Sequence, residues 1–133
     1  MLKWLKKSQA GQAMVELALT LPILLMLIGG IVDFGWLFYN KIALNNAARE
    51  GARYAVIHYI SSGSSWETDT KTVMQNTYVG VNTAVAAVTD NVELSQIKAT
   101  MTAEVPVLTG ITSTILGTDT VTMTGSCIMR LES

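Results

Sequence analysis

Gly11, Gln12 and Glu16 form the one arrangement in the sequence with an evident chemical consequence. Between positions 13 and 32 Glu16 is the sole ionisable side chain, and the other non-apolar interruptions are Thr20, Pro22, Gly29 and Gly30. A charge at the centre of a membrane helix costs about 2.5–3.5 kcal/mol on insertion scales, so such residues are usually paired or functional. No basic residue lies between Lys7 and Lys41 to serve as a partner. A cut after Gly11 would create one, because Gln12 would then carry a new α-ammonium group. In a straight helix that group lies one turn from Glu16, about 6 Å along the axis at 1.5 Å per residue. Where such helices stack, the ammonium of one subunit could equally meet the carboxylate of its neighbour.

Other chemistry is thin. The chain has one histidine, His58, and one cysteine, Cys127, too few for a His/Cys metal cluster. His58 falls in a helical stretch without a nucleophile motif and reads as a surface or packing residue. There is no glycine-rich phosphate loop. Cys127 cannot close an internal disulfide; it reads as a small apolar residue, with a bridge between two copies as the alternative. The sequence thus describes the substrate of an enzyme rather than an enzyme, with no catalytic residue, metal or cofactor expected.

The elements that must position Glu16 begin with the apolar run itself. About 20 mostly apolar residues cross a bilayer, and positions 13–32 are just enough. Lys3, Lys6 and Lys7 precede the run and Asp33 closes it, which places the N-terminus in the cytoplasm and the rest of the chain outside. A secretory signal peptide fits less well, since the run exceeds the usual 7–15 residues and no small-x-small cleavage site follows it. Pro22 removes a backbone hydrogen bond inside the helix, making it a candidate soft point. Phe34, Trp36, Phe38 and Tyr39 crowd the exit, where aromatic side chains favour the membrane interface or pack between subunits.

From position 40 to about 59 the pattern stays helical. Ala43, Ala47, Gly51 and Ala55 recur every four residues and make a narrow small-residue face for close helix packing. Arg49 and Arg53 lie one turn apart, and Glu50 reaches Arg53 at i+3. Serines and Gly63 at 61–65 mark a loop. A second helix is expected from about Asp69, as its cap, to Val88, because Met74, Tyr78, Val81, Val85 and Val88 make one apolar stripe. Trp66 reads as a core residue. Positions 97–107 and 121–131 alternate apolar and polar, as half-buried strands do. A short helix is expected at 111–116 between them. An isolated strand pair is only marginally stable, so a third strand, a helix cover or a partner must complete it.

The basic leader, the glycine, the glutamate five residues after it and the long apolar helix resemble a type IV prepilin processing site. The stretch GQAMVELALTLPILL from Gly11, with VDFG at Val32 and NAAREGARYA at Asn46, resembles the TadE family, the pseudopilins or minor pilins of tight-adherence (Tad/Flp) pilus systems. The resemblance implies cleavage between Gly11 and Gln12 by a prepilin peptidase, charge pairing at Glu16, and assembly through the N-terminal helix. It makes Phe34, Trp36, Phe38, Tyr39, Arg49 and Arg53 candidate subunit contacts.

The expected organisation is a leader at 1–11, a transmembrane helix at 12–33, its exported continuation at 34–60, and a small exported α+β domain at 61–133. The fold class is α+β: a long pilin-like helix, a second amphipathic helix and a small antiparallel sheet. Expected partners are the prepilin peptidase, other pilins or pseudopilins with the Tad assembly machinery, and membrane lipid. Removing the leader leaves six Lys and Arg against ten Asp and Glu, a balance that disfavours nucleic acid. The expected location is the inner membrane, single-pass, or an extracellular pilus after assembly. The alternative is an uncleaved, signal-anchored adaptor whose exported domain binds another envelope protein.

Overall fold

The computed structural model describes residues 9–59, 65–91 and 93–131. Most of the expected leader, at 1–8, and most of the expected serine-rich loop, at 61–64, lie outside the described residues.

One helix spans the molecule. Helix α1 runs unbroken from Gln9 to His58, 50 residues with Pro22 inside it, about 75 Å at 1.5 Å per residue. Its two halves meet different surroundings. Between Gly11 and Val32 every position is exposed except Gly29, whereas from Asp33 onward positions 33, 40, 44, 47, 48, 51, 52 and 55 are buried. That spacing of three and four is one face of a helix.

The buried face carries a small head. Helix α2 covers Trp66–Thr77; the strands are β1, Val85–Asn91, β2, Gln96–Pro106, and β3, Thr120–Arg130, with a short helix α3, Gly110–Leu116, between β2 and β3. The three strands form an antiparallel sheet in the order β1-β2-β3. On the central strand Ile97, Ala99, Met101, Ala103 and Val105 are buried, the period-two pattern of a sheet with one face on a core. Those residues form one core with Leu44, Ala47, Ala48, Ala52 and Ala55 of α1 and Met74 of α2.

Two glycines let the layers close. A Cβ at Gly125 would stand 2.5 Å from the backbone carbon of Leu44, so β3 touches the α1 main chain there. A Cβ at Gly51 would stand 2.2 Å from Cγ of Met74, which fixes the α1–α2 approach. The alanine-rich face is thus spent inside the chain's own head.

The architecture is α+β, as expected, and both alternating segments are strands joined through the short helix α3. Trp66 is buried, edge-on to Tyr59 with ring centroids 5.1 Å apart. The second helix differs from the expectation: it begins at Trp66, ends at Thr77, and gives way to strand β1 at Val85. Asp69 therefore lies in the first turn, where its carboxylate accepts from the Ser65 hydroxyl at 3.2 Å, instead of capping the helix. The reason is a competition between local period and tertiary pairing. Positions 79–89 are rich in β-branched residues and contain Gly80, and the free edge of β2 offers a ladder to any strand that reaches it. Val85 pairs with Thr102 and Val88 with Ala99, which supplies the third strand that the pair required.

Candidate functional site

The N-terminal arrangement is displayed without cover. Gly11, Gln12 and Glu16 all sit on exposed helix. Among the described residues Glu16 has no ion-pair partner. Around it Met14, Val15, Leu17, Leu19, Leu21, Ile23 and Leu24 are all at least 47 % exposed. Pro22 leaves the helix unbroken. One turn of helix before it is reinforced by Thr20, whose hydroxyl donates to the Leu17 carbonyl at 3.2 Å.

The four aromatic residues at the exit divide into two pairs. The Trp36 indole N–H donates to the Pro106 carbonyl at 3.1 Å and the Tyr39 hydroxyl to the Val79 carbonyl at 3.0 Å, so both are tied to the chain's own head. Phe34 and Phe38 face outward, 69 % and 57 % exposed, and stack on each other with centroids 6.1 Å apart. Of the candidate subunit contacts in this cluster, these two phenylalanines are the open pair.

Arg49 and Arg53 are both exposed. Arg53 grips Glu50 through two hydrogen bonds, Nη2 to Oε1 at 2.7 Å and Nε to Oε2 at 3.2 Å. That pairing holds the Glu50 carboxyl below its ordinary range and raises the Arg53 guanidinium, with desolvation opposing both shifts. Arg49 has no ion pair among the described residues and stays available.

Asp33 does more than close the apolar run. It is 1 % exposed, and its carboxylate receives the backbone N–H groups of Leu108 at 3.0 Å and Thr109 at 2.9 Å. The hydroxyls of Thr109 and Thr112 donate to its other oxygen. A side chain of α1 thereby holds the two backbone N–H groups that lead into α3 and places negative charge near a helix start, where the helix dipole favours it. Asn40, two turns further along the same face, is also buried: its amide donates to the Trp36 carbonyl at 2.9 Å and its oxygen accepts from the Tyr78 hydroxyl at 3.0 Å. Burial pushes the Tyr78 phenol up. The readable signal for both residues was that Asp33, Asn40, Leu44, Ala47, Gly51 and Ala55 share one helical stripe, in which the first two are polar.

At the far end of α1, Tyr59 donates to Asp90 at 3.2 Å, and that bond raises the phenol's pKa. His58 stacks on Tyr54 with centroids 4.0 Å apart and is a packing residue. Among the described residues no group of His, Cys, Asp and Glu is placed to hold a metal ion.

These features define a class: an α+β head built on the distal half of a single helix whose proximal half is long and apolar enough to cross a membrane, consistent with a single-pass membrane protein. Within that class, residues 11–53 match the TadE family, described as TadE-like protein. The match spans Glu16, Asp33, the aromatic cluster and both arginines, and it suggests a protein associated with a Tad pilus. No curated protein and no solved structure matches the chain.

Proposed function

We propose that the protein is a prepilin-like subunit, a minor pilin or assembly-priming pseudopilin of a Tad-type pilus, cut between Gly11 and Gln12 by a prepilin peptidase and assembled through α1. The observation that carries this reading is the uncovered apolar half of α1 with a lone acid, Glu16, beside the peptide bond that would release an amine. After cleavage, the Gln12 ammonium and Glu16 attract each other strongly in a low-dielectric surrounding. Within one helix the pair neutralises the buried acid; between helices it sets their register. Phe34, Phe38 and Arg49 are the exported groups left free to meet a neighbouring subunit or another pilin. The working location is the inner membrane with the head exported.

Mass spectrometry of the protein from its host tests the reading. The expected N-terminus is Gln12, and a retained leader in assembled material overturns it in favour of an uncleaved adaptor. Glu16→Ala is expected to be processed normally and to lose assembly, whereas unchanged assembly removes Glu16 from the mechanism.

A further inference from the structure

Residues 105–118 hold no charged side chain, and they are bracketed by exposed Glu104 and Asp119. Within this segment Leu108 is 57 % and Ile115 77 % exposed. Its height along the molecule is fixed, because Asp33 binds the backbone of Leu108 and Thr109 at 3.0 and 2.9 Å, and Asp33 is the residue that ends the apolar span. Trp36 adds a second tie at the same level through the Pro106 carbonyl. Gly29, one turn further into the span, is buried, so the covered stripe of α1 starts below the carboxylate. The polar side chains of α3 are occupied internally: Ser113 and Thr114 donate to the Gly110 carbonyl at 3.1 and 2.6 Å, and Thr112 donates to Asp33. Hydroxyls already bonded lose little when water is withdrawn, whereas bare ones are costly.

From this juxtaposition we propose that α3 and its flanking loop are a second membrane contact, a foot resting on the exported surface of the bilayer that α1 crosses, with Leu108 and Ile115 in the interfacial layer. The proposal rests on the reading of residues 12–33 as membrane-spanning. The occupant is lipid because the segment that bears these exposed apolar side chains is tied to Asp33 at the exit of the span and carries no charge that would favour a polar partner. Two contacts, the span and the foot, orient the head on the membrane where one helix alone would leave it free to swing. Extraction into a filament would then have to lift the foot.

The test uses the full-length protein with Cys127→Ser and single cysteines placed by Ile115→Cys, Leu108→Cys, Leu24→Cys or Glu67→Cys. Each is labelled with an environment-sensitive fluorophore and reconstituted at low protein-to-lipid ratio in phosphatidylcholine–phosphatidylglycerol vesicles. All four positions are exposed, so labelling leaves the fold intact. The expected result is loss of most Ile115 and Leu108 label fluorescence to lipid with a nitroxide near the headgroup, quenching of the Leu24 label by a deep nitroxide, and none at Glu67. Quenching at Leu24 with none at Ile115 and Leu108 overturns the foot and leaves the span standing. No quenching at Leu24 overturns both.

Discussion

The two halves of α1 share one backbone and follow opposite rules. From Gly11 to Val32 large apolar side chains are exposed on every side of the helix and only Gly29 is buried, while from Asp33 to His58 a single stripe is buried and the opposite side carries Arg49 and Arg53. The proximal half is written for a surrounding that is itself apolar, where only an internally hydrogen-bonded backbone is tolerated. The distal half is written for water on one side and a packed core on the other. The joint between them is a carboxylate, and it is also where the head begins. One unbroken helix therefore carries both the exposed apolar surface and the folded head.

If the distal half is a packed core, the largest effect should come from Gly125→Val, which drives a side chain into the Leu44 main chain. A loss of about 3 kcal/mol or more is expected, read by thermal or denaturant unfolding of the full protein in detergent. A change under about 1 kcal/mol would mean that β3 does not lie on α1 there. Asp33→Ala comes next: amide exchange at Leu108 and Thr109 should quicken on the order of tenfold, since two donors lose a charged acceptor. Exchange as slow as in the parent chain would show that the joint is held elsewhere.

Glu50→Gln should have a small effect that salt diminishes, because the pair is exposed. The folded-state pKa of Glu50 is lowered, so its contribution is complete above the ordinary value of 4.5 and disappears as the pH falls through the lower folded value. A parent chain with the same acid-side stability profile as Glu50→Gln would remove the pair from the account. The smallest effect is expected from Leu24→Ala. Head unfolding should change by less than about 0.5 kcal/mol, and a larger shift would break the division between the halves.

Much of this was readable without coordinates because it is local. The apolar run, the lone Glu16, the period-two pattern of both long strands and the short helix between them are properties of consecutive residues. Trp66 as a core residue and the small-residue face were readable too, although not that the face would be consumed by α2 and β3. The second helix was misjudged beyond Thr77 because Val81, Val85 and Val88 satisfy a helical period while their strand preference is realised only against β2. Asp33 and Asn40 were missed as anchors because their partners lie 75 and 38 residues away in sequence.

By itself the sequence determined that one helix is apolar enough to enter a membrane, that its apolar run holds a single acid, and that a small α+β domain follows. Patterning and composition act over a few residues, and hydrophobic transfer depends on them directly. Only the tertiary structure decided where the helix stops being free and starts being core, which aromatic side chains are tied down, and that a carboxylate at the boundary holds a charge-free loop level with the span. Those outcomes depend on which distant backbone groups arrive at the same place, a matter of chain topology that no local pattern encodes.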